Sequence, residues 1–151
     1  MITTGIFCLA TFCGIVAKTE ARTAVQSRTQ VCIDVAQEAE KQGVSPVLAV
    51  AVAWVESSLI RTARSKAGAV GPMQVLTRFW CKETPCDLIE AGVRALRTYT
   101  DMYGEQRGLC AYVSGRPCEA STERASAYRS AVIMKAAQYS ELYHKVCVDG
   151  C

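Results

Sequence analysis

The chain has 151 residues, half of them apolar and 21% charged, with a net charge of +3. That length suits one domain around one core, and the composition excludes a disordered or fibrous chain. No Lys/Arg cluster or aromatic-interleaved basic stripe points to nucleic acid; the mild positive charge suits an anionic polymer without specifying one.

Met1 to Ala17 is an apolar run, short for a membrane span of roughly 17–25 residues, and matches the apolar core of a secretory signal. With a small-x-small site at Thr19-Glu20-Ala21 and another candidate at Ala17, residues 1–21 read as a signal peptide, despite the missing positive start. An uncleaved anchor or a first helix of the fold are the alternatives. Export agrees with nine cysteines, a density that fits an oxidising compartment. Cys8 and Cys13 leave with a cleaved leader, and Cys32, Cys81, Cys86, Cys110, Cys118, Cys147 and Cys151 remain. Cys81/Cys86 and Cys110/Cys118 are candidates for local bridges, and Cys32 can reach Cys147 or Cys151; connectivity does not follow from sequence. A metal site at His144, Cys147 and Cys151 is the rival reading, weak because the chain has one His and no paired C-x-x-C units. No metal or cofactor is expected.

Residues 22–30 read as a polar linker before a domain over 31–151. Val31, Val35 and Ala39 are spaced for a helix ended by Gly43. Ser45-Pro46 begins a second helix, as N-cap and first helical residue, that runs to Leu59. Arg61 to Ala69 is a polar loop, and Val70 to Phe79 a short helix or turn. Thr84-Pro85 opens a third long helix to Tyr103-Gly104. Leu109 to Val113 is a short apolar segment, Ser114 to Pro117 a turn, and Ser126 to Val146 a last helix. No alternating strand is longer than a few residues, so the fold is expected to be mainly α.

Glu56 ends an almost wholly apolar stretch, Ser45 to Leu59. A helix apolar on every face is buried, and a carboxylate there is poorly solvated, which raises its pKa. A carboxylic acid still protonated near neutral pH can serve as a general acid.

Glu56-Ser57, then Ser65-x-x-Gly68-Ala69-x-Gly71-x-Met73-Gln74, then Ala111-Tyr112 resembles the three-motif pattern of soluble lytic transglycosylases, E-S, G-L-M-Q and A-Y-N. These belong to the lysozyme superfamily and are related to goose-type lysozyme. Ile89 to Leu96 looks like the family helix after G-L-M-Q. The resemblance covers about residues 31–145 and implies a single lysozyme-like helical domain acting on peptidoglycan glycan strands.

By that resemblance Glu56 is the catalytic acid, then base, in a cut that leaves a 1,6-anhydro-muramoyl end. Ser65, Gly71, Met73, Gln74 and Tyr112 are the implied substrate-binding residues. Ser65 lines the site, Gly68, Ala69 and Gly71 let backbone approach the sugar, and Gln74 pairs with its amide or hydroxyl groups. Met73 packs beneath, and the Tyr112 hydroxyl approaches Glu56. Trp54 is expected in the core rather than in the groove. The sequence departs from the family pattern at Pro72, Leu76, Thr77 and Val113, where leucine, methionine, proline and asparagine are usual.

A hydrolysing goose-type muramidase is the alternative within glycosidases. It needs a second carboxylate, and Glu83, Asp87 and Asp101 are the candidates. A non-catalytic wall-binding or assembly module is the alternative outside enzymes. A periplasmic or secreted protein that opens the wall for a secretion or conjugation machine is the biological setting the resemblance implies.

Overall fold

The computed structural model describes residues 3–18, 22–120 and 122–149. Its helices are α1 (Thr3–Val16), α2 (Arg22–Gln42), α3 (Pro46–Ser57), α4 (Thr77–Trp80), α5 (Leu88–Tyr103), α6 (Glu105–Ser114) and α7 (Glu123–Cys147), with a 3-10 turn at Cys118–Ala120. Among the described residues there is no strand. Arg64–Val70 and Val70–Val75 are isolated antiparallel bridges. The fold is mainly α, as the sequence implies.

Helix α3 is the buried centre. Pro46 fixes the first turn and Ser45 caps it, its hydroxyl accepting the Leu48 amide at 3.3 Å. Leu48 to Ala53 are all buried. Five of those six side chains are the small residues Ala and Val in alternation, so α2 and α7 can lie close on either side. Helix α7 meets this centre with a stripe seven residues apart, Ala125, Val132 and Tyr139. Helix α5 starts later than Thr84-Pro85, at Leu88. Asp87 is the better cap, accepting the Ile89 and Glu90 amides at 3.0 Å each, and residues 81–86 are closed off by a disulfide. Helices α5 and α6 touch backbone to backbone at Gly108, where a Cβ would lie 2.8 Å from the Thr100 Cα. The apolar segment expected at Leu109 to Val113 is the buried part of α6.

The N-terminal third departs from one expectation. Residues 22–30 are not a linker but the first turns of α2. They hold no Gly or Pro, and their polar residues continue a helix already required by Val31 and Val35. With the leader run retained, its residues form α1, packed on α2 and α7. Leu9, Phe12 and Val16 are buried there, each worth roughly 1.5–3 kcal/mol of apolar burial. The Phe12 ring meets Tyr139 and Tyr143 edge-on at 5.9 and 5.5 Å.

The disulfides follow that placement. Cys81–Cys86 and Cys110–Cys118 are the expected local bridges. Cys32, however, is bonded to Cys13, and Cys147 to Cys8. Helix α1 lies between the middle of α2 and the end of α7, so each of those segments meets a cysteine of α1 rather than the other. Cys147 is thereby unavailable as a metal ligand, and Cys151 lies outside the described residues. No helix among the described residues is long and apolar enough to cross a membrane.

Candidate active site

Helix α3 delivers Glu56 into a cleft of about 690 Å³. The helix stops one residue later because Ser58 and Leu59 both turn left-handed, at φ 54° and 62°. Such a conformation costs of order 1–3 kcal/mol for a residue with a side chain. Complete burial of Leu59 helps to offset it. The Ser57 hydroxyl secures the same corner: it donates to the Pro72 carbonyl at 2.7 Å and accepts the Ile60 amide at 3.1 Å. The end of α3 and the 71–75 segment are thus tied together.

That segment is held on its other side by α5 and α6. Gly71, at φ +81°, sits against Leu88, where a Cβ would lie 2.9 Å from the Leu88 Cδ1. Met73 is fully buried on Gly92, whose missing Cβ would stand 2.6 Å from the Met73 Cβ. The Tyr112 hydroxyl donates to the Met73 carbonyl at 2.7 Å. Gln74 turns back left-handed at φ 52°, its side-chain amide donating to the Gly71 carbonyl at 2.9 Å. Bracing from three helices therefore presents Gln74 to the cleft.

The expected site residues divide accordingly. Glu56, Ser65, Ala69, Gln74, Tyr112 and Val113 line the cleft; Gly68, Gly71 and Met73 do not. Gly71 serves the packing of α5 rather than the approach of a sugar, and Met73 lies beneath, as expected. The Ser65 hydroxyl accepts the Ala69 amide at 3.1 Å, so it also shapes its own turn. Trp54 faces away, edge-on to Tyr139 at 6.5 Å. None of the candidate second carboxylates reaches the cleft. Asp87 caps α5, Asp101 pairs with Arg97 at 3.4 Å, and Glu83 is exposed. Among the described residues, Glu56 is the one carboxylate lining it.

Burial pushes the Glu56 carboxyl up to about 7. Two weaker influences oppose this, the Tyr128 hydroxyl and the Arg124 guanidinium, both of which favour the charged form. Neither residue belongs to a motif that the sequence displays. The Tyr128 hydroxyl is buried and completes no well-formed hydrogen bond in this geometry, yet it stands close enough to the Glu56 carboxyl to bias its titration. Tyr112, expected to orient Glu56, instead spends its proton on the Met73 carbonyl. It remains near enough for the Glu56 charge to add to the burial that raises its own pKa. Of the two tyrosines, Tyr128 is therefore the one whose hydroxyl is free to serve the acid. A lone aromatic on a long helix carries no motif, so the signal for it lay only in the fold.

The family profile described as Transglycosylase SLT domain matches residues 34–132. No characterised protein and no solved structure matches the chain.

Proposed function

The chain belongs to the SLT-domain transglycosylase family, and from that premise we propose that it cleaves the β-1,4 bond between N-acetylmuramic acid and N-acetylglucosamine without consuming water. The family's substrate, peptidoglycan, lies outside the cytoplasm, which places the site of action there. One observation carries the mechanistic reading: among the described residues Glu56 is the sole carboxylate lining the cleft, and its pKa, raised by burial to about 7, suits both halves of a proton shuttle.

In the first step the Glu56 carboxyl gives its proton to the glycosidic oxygen as the bond to the muramoyl C1 breaks. The substrate's acetamido group stabilises the developing positive charge. In the second step the Glu56 carboxylate takes the proton of the muramoyl C6 hydroxyl, whose oxygen closes on C1. The acid is regenerated and the products are a free glucosaminyl end and a 1,6-anhydro-muramoyl end. A hydrolase would place a water with a second carboxylate, which the described cleft does not supply.

Digestion of purified peptidoglycan, with the products weighed by mass spectrometry, tests this. Anhydro-muramoyl ends are expected from the oxidised protein and are lost in Glu56→Gln, with a rate penalty of roughly 10²- to 10⁴-fold for removal of a general acid-base. Reducing ends in place of anhydro ends would instead establish a muramidase, and no cleavage by the folded protein would favour a binding module. The setting proposed with this activity is a periplasmic or secreted protein opening the wall for a secretion or conjugation machine. If so, Glu56→Gln fails to restore transfer to a strain lacking the protein.

A further inference from the structure

Phe79 is the most exposed of the large apolar side chains on the described surface, at 67%, and of the exposed ones it is the one that lines the cleft. It does not stand alone there: Leu76, Trp80 and Tyr99 line the same cleft, so the exposed ring belongs to a shared apolar wall. Its setting is rigid. Helix α4 is four residues long, yet it is fastened by the Cys81–Cys86 bridge immediately after it and by the Arg94 guanidinium, which donates to the Trp80 carbonyl. The half-buried Trp80 ring packs edge-on to Tyr99 at 5.6 Å, and both rings line the same cleft. The Arg78 guanidinium lies 4.7 Å from the Phe79 centroid, covering one face.

We propose that Phe79 is a stacking platform for a sugar ring of the glycan strand, backed by Trp80 and Tyr99, and that it sets affinity for the strand rather than the rate of the chemistry. The chemistry of a pyranose fits. One face of the ring carries C–H bonds made slightly positive by the ring oxygens, and the face of an aromatic ring is negative. The cleft volume of about 690 Å³ lies well inside the ~300–1,000 Å³ of sites that enclose multi-ring ligands. Phe79 carries no proton to give or take. Its role is separate from that of Glu56, although the identity of the ligand rests on the function proposed above.

The test is binding and cleavage of muramoyl-glucosaminyl strands of defined length. In the Glu56→Gln background, titration calorimetry is expected to show about tenfold weaker binding on adding Phe79→Ala, and recovery with Phe79→Trp. In the active protein Phe79→Ala raises KM about tenfold with kcat nearly unchanged. Met134→Ala, equally exposed at 64% but outside the cleft, changes neither. Because the calorimetric arm needs no catalysis, it still reads out if the proposed reaction is wrong. Equal affinity with and without Phe79, or no strand binding by the parent, overturns the proposal, as does a loss in kcat alone. Equal affinity would leave the ring as a docking point for another protein.

Discussion

Two regions of this molecule are built on different scales. One wall of the cleft is made of near neighbours in sequence. Glu56, Ser65 and Gln74 fall within one stretch of chain, and the flanking bridges Cys81–Cys86 and Cys110–Cys118 close separations of 5 and 8 residues. The second region is a clasp of α1, the middle of α2 and the end of α7, closed by bridges spanning 19 and 139 residues. Its cysteines, Cys8, Cys13, Cys32 and Cys147, all lie outside the 34–132 segment shared with the family. The candidate acid Glu56 thus lies inside the matched segment, and every cysteine of the clasp lies outside it.

The largest expected effect separates the two regions directly. In the chain-entropy view, the bridge over 139 residues restrains the unfolded chain by about 5 kcal/mol, and the one over 5 residues by about 2 kcal/mol. Replacing both Cys8 and Cys147 by Ser should lower the denaturant midpoint far more than replacing Cys81 and Cys86. Cleavage in the cold should remain. An equal loss from both pairs would erase the distinction.

The fate of the leader run bears on the same region. If the run stays on the protein, α1 supplies one partner to each of two bridges, and the intact mass of the exported, oxidised protein includes Cys8. A chain beginning at Arg22 would establish the leader reading and leave Cys32 and Cys147 to each other.

The next effect belongs to the cleft. Glu56 holds a raised pKa, about 7 against 4.5, so between those values the folded state binds more protons than the unfolded one. Stability contributed by this group therefore falls as pH rises through that window and is lowest above pH 7. Glu56→Gln should stabilise the protein at pH 8 by up to about 3 kcal/mol and make little difference below pH 4.5. No gain at pH 8 would mean that the carboxyl is well solvated. For the same reason cleavage should decline as pH climbs past about 7, where the acid loses its proton.

Gly92→Ala comes third. Its Cβ would overlap Met73, so about 1–3 kcal/mol of overpacking should appear in thermal unfolding, with a loss of activity as Gln74 shifts. Smallest is Tyr128→Phe. Removing a hydroxyl that favours the charged form should move the pH midpoint of cleavage upward and slow the step that needs the carboxylate, with stability almost unchanged. An unmoved midpoint would make Tyr128 a packing residue.

Legibility in the sequence follows the same divide. Glu56 and Gln74 were readable as candidates, and the helical frame from Val31 onward as structure, because spacing along the chain encodes them: a cap at Ser45, an apolar stretch, glycines at turns. The short bridges were readable for the same reason. The packing of α1 was not, because an apolar run of that length has the same composition whether it serves as a leader or lies against Tyr139. A contact across 139 residues leaves no local mark. Tyr128 and Phe79 were missed differently. Each is an ordinary aromatic in its own helix, and only the fold brings one to Glu56 and the other to the cleft mouth.

Helix α7 spans both regions, with Tyr128 near its start and Cys147 at its end, about 28 Å apart at the usual helical rise. Anyone trimming this protein to the family segment would cut at residue 132, one helical turn past the tyrosine that faces Glu56, and would enter α2 at residue 34 with its first turns gone. The fragment would keep every motif and lose the lever arm that keeps Tyr128 in place. For this chain, the smallest piece that preserves the chemistry is larger than the smallest piece that can be recognised.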